Sequence, residues 1–292
     1  MLQKKLYAYL NINNPMVAWE VAIGRVRSAC DFGVQHGGFG MSLWYYSLLR
    51  DCSIEDASDR FAKEIMLEKV RINKFPNAVS RLRGMYFFKS ESDANAALDR
   101  WGVSRNGKYI SQINFTATDM SEVDSEWITS CLKSEDAEWM ERYWRGETYG
   151  LKPLTEVIAS GIGTVQNKVI RQAAYWRIVE KFPESTPLLA MASCGFAKQG
   201  IESIAQIVPA ISKKQSESKV EFHIYLNDLK SKENEIVEAV VECKKNNEFP
   251  ITIPPKEPNS FFIVPDLSKG EFVFKEKKVR EILMEVMARI RE

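Results

Sequence analysis

SRLRGMYFF, residues 80–88, runs from a Ser-Arg step into an apolar run. Met85-Tyr86-Phe87-Phe88 reads as a buried strand, because aromatic and large apolar side chains favour the pleated, half-covered surface of a sheet. Upstream, NKFPN (residues 73–77) breaks the chain, since proline flanked by asparagines does not continue a helix. Before that break, SIEDASDRFAKEIMLEKVR (residues 53–71) reads as a helix. Ser53 serves as its N-cap, acids fill the first turn, and Ile54, Ala57, Phe61, Ile65 and Leu67 fall near helical spacing. After the strand, SESDANAALDRWG (residues 90–102) reads as a short helix. Ser90 caps it, Ser92 and Asp93 are further cap options, and Gly102 is the stop.

Working outward, Leu6–Ile12 reads as an early strand ended by Asn13, Asn14 and Pro15. GVQHGGFG (residues 33–40) is a glycine-rich loop, and Met41–Leu49 fits helix or strand. Tyr109–Thr116 alternates as a strand, and the acidic stretch Asp119–Glu141 reads as loop and helix. Thr155–Val165 is a strand or hairpin, with Gly161 and Gly163 allowing a bend. Val169–Val179 is helical, and Leu188–Ala210 suggests more helix. KKQSESK (residues 213–219) has no apolar residue and reads as a linker. Beyond it, Val220–Leu226 is a strand and Lys232–Lys245 an amphipathic helix. Ile251–Pro255 and Phe261–Val264 read as strands, and Lys275–Arg291 as a terminal helix. The expected fold class is α+β. The expected divisions are a first domain over residues 1–180, a helical connector and linker over 181–219, and a small α/β domain over 220–292.

Lys plus Arg number 40 and Asp plus Glu 39, so the chain lacks the strongly basic balance of a dedicated nucleic-acid binder, although a local basic groove is compatible with it. The five cysteines are scattered and show no metal-ligand spacing, and only His36 and His223 could join them, so no metal site is expected. Free thiols suit a reducing compartment. The N-terminus MLQKKLYAYLNINN lacks the apolar run of a secretory signal, and no stretch approaches the roughly 20 apolar residues that span a bilayer. A cytoplasmic protein with no membrane partner is expected. P-loop, dinucleotide-fold, nucleophile-elbow and HExxH signatures are absent.

One discontinuous constellation remains. It runs from Glu68-Lys69-Val70-Arg71 through Phe75-Pro76 to Ser80-Arg81-Leu82-Arg83 and Met85–Phe88. It continues through the helix Asp93–Leu98, the strand Tyr109–Thr116 and Tyr143-Trp144-Arg145-Gly146, and closes on Pro153-Leu154-Thr155-Glu156-Val157-Ile158. This order resembles bacterial ADP-ribosyltransferase-like domains over roughly residues 2–169. There a Ser-Arg step precedes a strand of the "MYFF" kind, and a glutamate opens a later strand of the "EVI" kind. The resemblance implies a split β-sheet core with flanking helices, NAD as substrate and no metal.

The resemblance further implies roles for particular residues. The bond from nicotinamide to ribose breaks through an oxocarbenium-like state, which a carboxylate can stabilise; Glu156 takes that role, against the plainer reading of an exposed strand-end glutamate. Arg81, with Ser80 beside it, would grip the pyrophosphate, with Arg71 and Arg83 as second choices; surface salt bridges are the alternative use of these arginines. Tyr86 would stack on nicotinamide or fill the core. The chain departs from better-known branches in two places. Its first strand lacks the usual His or Arg, and Leu154 stands two residues before Glu156, where arginine-modifying members carry a glutamate. The implied activity is transfer of ADP-ribose to a macromolecule, with RNA or DNA as the favoured acceptor, in a toxin or phage-defence setting with a possible neutralising antitoxin. An NAD glycohydrolase and a non-catalytic nucleotide- or partner-binding module are the alternatives.

Overall fold

The computed structural model describes residues 1–30, 39–54, 58–106, 108–131, 137–214, 217–246, 248 and 262–274. Two antiparallel sheets with packed helices make a mixed α/β architecture. In the first sheet the strand order is β1 (Leu2–Asn11), β5 (Lys108–Asp124), β6 (Thr155–Val165) and β2 (Arg25–Arg27), with β4 (Met85–Phe87) also on β6. Strand β6 carries β5 along one edge and shares its other edge between β4, at Val157–Ala159, and β2, at Ile162–Thr164. Just past β4, Phe88 exchanges backbone hydrogen bonds with Tyr7 of β1, both at 2.8 Å. The sheet therefore curls until its two edges meet, which leaves fewer unpaired edge groups.

Strand β5 is longer than its sequence suggests. A bulge between Ala117 and Asp119 shifts the register, so the alternation that marks Tyr109–Thr116 is interrupted and Asp119–Asp124 does not look like strand. Opposite the bulge, Gly161 sits at φ +134°, and a Cβ there would lie 2.2 Å from the Thr116 carbonyl oxygen. Strand β6 consequently runs through Gly161 and Gly163 as one continuous strand.

Helix α1 (Pro15–Ile23) starts from an Asn14 side chain that accepts the Met16 N–H, and it buries Trp19, Val21, Ala22 and Ile23. It packs against α7 (Lys168–Lys181) and α8 (Thr186–Gln199). Of the stretch Met41–Leu49, Leu43 onward is helix, the start of α2 (Leu43–Ile54). Ser53 therefore lies in the last turn of α2, and the next helix, α3, is described from Ser58 to Lys74. Helix α4 (Glu91–Arg100) has Ser90 as its N-cap, accepting the Asp93 N–H, and the short helices α5 (Glu126–Cys131) and α6 (Glu138–Trp144) follow β5.

The second sheet has the order β3 (Phe39–Gly40), β7 (Ile207–Lys214), β8 (Glu217–Ile224) and β9 (Phe272–Phe274). It corrects three expectations. Helix α8 ends at Gln199, and Ile207–Ala210 belongs to a strand. Lys213, Lys214 and Glu217–Lys219 belong to paired strands and not to a linker, because β7 pairs with β8 from Ile207↔Ile224 out to Lys214↔Glu217; residues 215 and 216 lie outside the described residues. These strand ends are made of polar residues, so their composition imitates a linker. Phe262–Val264 contains no strand. One hydrophobic cluster holds Leu6, Leu82, Val165, Leu188, Ile211 and Ile236, drawn from all three expected segments. After the short helix α9 (Asn227–Ser231), α10 (Glu233–Lys245) packs on α8. The expected strand Ile251–Pro255, the expected helix Lys275–Arg291 and most of the glycine-rich stretch lie outside the described residues. Among the described residues no helix is long and apolar enough to cross a membrane.

Candidate active site

The turn that opens the fold-defining stretch is set by its own hydrogen bonds. The N–H groups of Arg83 and Gly84 donate to the Ser80 carbonyl, and the Ser80 hydroxyl accepts the Leu82 N–H at 3.2 Å. A Cβ on Gly84 would come within 2.7 Å of Ile158, so only glycine lets this turn lie directly on β6. The Arg81 side chain consequently enters the protein at the start of β6, and it is 5% exposed.

Arg81 is almost enclosed by partners. Its Nε and Nη2 donate to the two carboxylate oxygens of Glu64, on α3, at 3.1 and 3.2 Å. Nη1 donates to the Tyr143 hydroxyl, on α6, at 2.6 Å. The same Nη1 lies 3.7 Å from Oε2 of Glu156, near the start of β6. The guanidinium carbon sits 5.2 Å from the Tyr86 ring centre and 5.5 Å from that of Tyr143, within range of cation–π attraction. The Tyr86 hydroxyl closes the arrangement by donating to the Arg81 carbonyl at 2.7 Å.

The charges do not balance locally. One guanidinium faces two carboxylates, Glu64 at 2% exposure and Glu156 at 6%. Burial works against the Arg81 charge, but Glu64, Tyr143, Tyr86 and Glu156 outweigh it and raise its pKa well above the ordinary arginine value. Glu156 moves the other way in charge. Burial is the largest cause, and it pushes the carboxyl up to about 7; Arg81 opposes the rise, while Glu64 and Asp124 add to it. Burial also raises Tyr86 and Tyr143, against the pull of Arg81, so both hydroxyls stay protonated. A carboxyl that titrates near neutrality can take or give a proton at physiological pH.

Asp124, at the end of β5, fastens the chain that leads into Glu156. Its carboxylate accepts the N–H groups of Glu126, Tyr149 and Leu154. Leu154 is 3% exposed and packs with Phe88, Ala94 and Ala97. The position two residues before Glu156 is thus a core position.

The structure brings Arg81, Glu156 and Tyr86 together, and turns the other expected residues to different work. Ser80 caps its own turn. Arg71 pairs with Glu68 and donates to the carbonyls of Pro76 and Ala78, holding the chain as it leaves α3. Arg83 donates to the carbonyls of Ala29 and Cys30. Arg81 itself holds carboxylates and a phenol instead of presenting an open fork, and Tyr86 covers that arginine; neither has the exposed geometry expected of a pyrophosphate grip or a nicotinamide platform.

Tyr143 stood in the Tyr143-Trp144-Arg145-Gly146 segment without a role, and Glu64 was not singled out by sequence. The signal for Glu64 was present: Glu64 and Glu68 follow Phe61 at three and seven residues, on the buried face that Phe61 and Ile65 define. Carboxylates inside an apolar helical stripe mark a buried ionic site. Two surface cavities of about 340 Å³ lie elsewhere, one beside Pro15 and Lys181 and one beside Tyr7 and Asn167, and neither is lined by Arg81 or Glu156.

Residues 47–172 match a family model described as a protein of unknown function, DUF2441. The matched stretch is under half of the chain, yet it contains the whole network of Glu64, Arg81, Tyr86, Tyr143 and Glu156. Strand β1, helix α1 and the β7–β8 hairpin lie outside it. No curated protein matches the chain.

Proposed function

We propose that the chain is an NAD-dependent ADP-ribosyltransferase in which Glu156 is the reacting carboxylate. The single observation that carries the reading is the meeting of Arg81 and Glu156, 75 residues apart in sequence, at 3.7 Å in one buried cluster. The resemblance to ADP-ribosyltransferase-like domains pairs those two residues on sequence alone. In this reading ionised Glu156 faces the ribose as positive charge develops there, and Arg81 keeps the carboxylate oriented. The core position of Leu154 fits a site with a single glutamate at this strand, which favours RNA or DNA over arginine side chains as the acceptor. A toxin or defence role, with an antitoxin partner, belongs to the same proposal.

A second reading has its own support. Glu156 is 6% exposed and Arg81 is engaged on every side, which suits a non-catalytic module whose buried network holds the fold. A ligand reaches Glu156 only after its neighbours move, so binding and turnover have to be read separately. Purified protein and Glu156→Gln are incubated with labelled NAD and with separate pools of RNA, DNA and protein. Label carried to one pool by the wild type and lost in the variant is the expected result, and it names the acceptor. Nicotinamide release without transferred label would make the protein a glycohydrolase. Absence of both NAD binding by calorimetry and NAD turnover would remove the two enzymatic readings in favour of the module.

A further inference from the structure

We propose that Glu64 is the positioning residue of this site, holding Arg81 by two donors so that its remaining nitrogen faces Glu156 and Tyr143. The assignment of Glu156 as the reacting group rests on the preceding reading; the geometry of the hold does not. A guanidinium is a rigid planar fork, so fixing Nε and Nη2 on one carboxylate fixes the direction of Nη1 as well. Glu64 makes both contacts, at 3.1 and 3.2 Å, from a 2% exposed position on α3. Phe61 and Ile65, its neighbours on that helix, are anchored in the main core. The rings of Tyr86 and Tyr143 lie 5.2 and 5.5 Å from the guanidinium carbon and pack beside it.

Glu64 also acts on Glu156 directly: its carboxylate repels charge there and offsets part of the attraction of Arg81. The groups that act on Glu156 come from every side of the cluster: Arg81 from the turn before β4, Glu64 from α3, and Asp124 from β5. Tyr143 from α6 and Tyr86 from β4 complete its polar surroundings. Glu64 therefore adds to the rise that burial gives Glu156, against Arg81, without itself touching a substrate.

The test uses the full chain labelled with carboxyl-13C glutamate. The Glu156 resonance is assigned by its loss in Glu156→Gln. Its titration is then followed in wild type and in Glu64→Gln. The wild-type midpoint is expected near 7, and it should fall by about one unit when the neighbouring negative charge is removed. Glu64→Asp, which keeps the charge, should leave the midpoint above that of Glu64→Gln. An unchanged midpoint in folded Glu64→Gln overturns the proposal. Should that variant not fold, the Arg81 Nε–H of the wild type decides between hold and no hold. Slow exchange with solvent agrees with the two-donor hold, and fast exchange overturns it. NAD turnover enters neither measurement, so a protein with the expected titration and no NAD chemistry keeps the positioning role while losing the transferase reading.

Discussion

Among the described residues the protein buries two arginines of opposite character. Arg25, on β2, is fully buried and donates to both carboxylate oxygens of Glu20, at 2.6 and 3.1 Å. Its Nη1 donates to the backbone carbonyls of Glu202 and Ile204. Glu20 in turn accepts the Ile207 N–H. One cation meets one anion, the Phe196 ring lies 5.9 Å from the guanidinium carbon, and the remaining hydrogen-bond partners are backbone carbonyls that no substitution can remove. This site ties helix α1 to the start of the second sheet. Arg81 meets two carboxylates and a phenol, all of them side chains, and one carboxyl is left near 7. A balanced cluster built on backbone is structural; an overloaded cluster built on side chains can change its charge. That difference is the physical ground for looking for chemistry at Arg81 and not at Arg25.

The largest effect should come from the balanced site. Arg25→Met removes the only cation beside Glu20 among the described residues and strands the carbonyls of Glu202 and Ile204. Breaking a buried pair from one side costs about 3–5 kcal/mol, because the partner is left buried and uncompensated. Urea denaturation measures it. A loss below about 1 kcal/mol would mean that the pair is not the tie between the sheets, and the contrast with Arg81 would collapse.

Much of the Arg81 side of this contrast was readable in the sequence, and almost none of the Arg25 side. The strand at Met85–Phe87, the Ser90 cap and the strand opening at Thr155 follow from local signals: an aromatic run, a serine before an acidic helix start, and an apolar run after proline. Arg81 and Glu156 were legible through the order of such segments. Glu64 was hidden because a glutamate on a helix is ordinarily read as solvated. Arg25 was hidden because its partners are a helix residue 5 positions back and carbonyls 177 and 179 residues away, which have no sequence signature. The bulge in β5 and the β7–β8 hairpin were missed for related reasons. The first breaks the period-two pattern, and the second ends in polar and charged residues that read as a linker.

The next effect sharpens the overloaded side. A carboxyl whose folded pKa is about 7, above its unfolded value, favours folding while it is protonated. Its contribution is complete below about pH 4.3, falls as pH rises toward 7, and is level above that. The loss is on the order of 3 kcal/mol across that window. Glu156→Gln cannot ionise, so the difference in stability between variant and wild type should move in favour of the variant between pH 5 and pH 8. Parallel denaturation curves at those two pH values decide it. If the two proteins keep the same difference, Glu156 is an ordinary carboxylate and the cluster is balanced after all.

The smallest effect separates replaceable partners from permanent ones. Tyr143→Phe deletes the hydroxyl that accepts from Arg81 at 2.6 Å but keeps the ring, with its edge contact to Trp144 at 5.0 Å between centroids and its cover over the guanidinium. The cost should be about 1–2 kcal/mol, the range for losing one hydrogen bond to a charged group. Glu156 should change little, because the charges that set its ionisation are those of Arg81, Glu64 and Asp124, and all three remain. A small loss in the urea midpoint with an unmoved Glu156 titration would show that the phenol steadies Arg81 while Glu64 directs it. A shift in Glu156 as large as that from Glu64→Gln would make the two partners equivalent. The hold on Arg81 would then be spread over α3 and α6, and the direction of Nη1 would be set by both helices together.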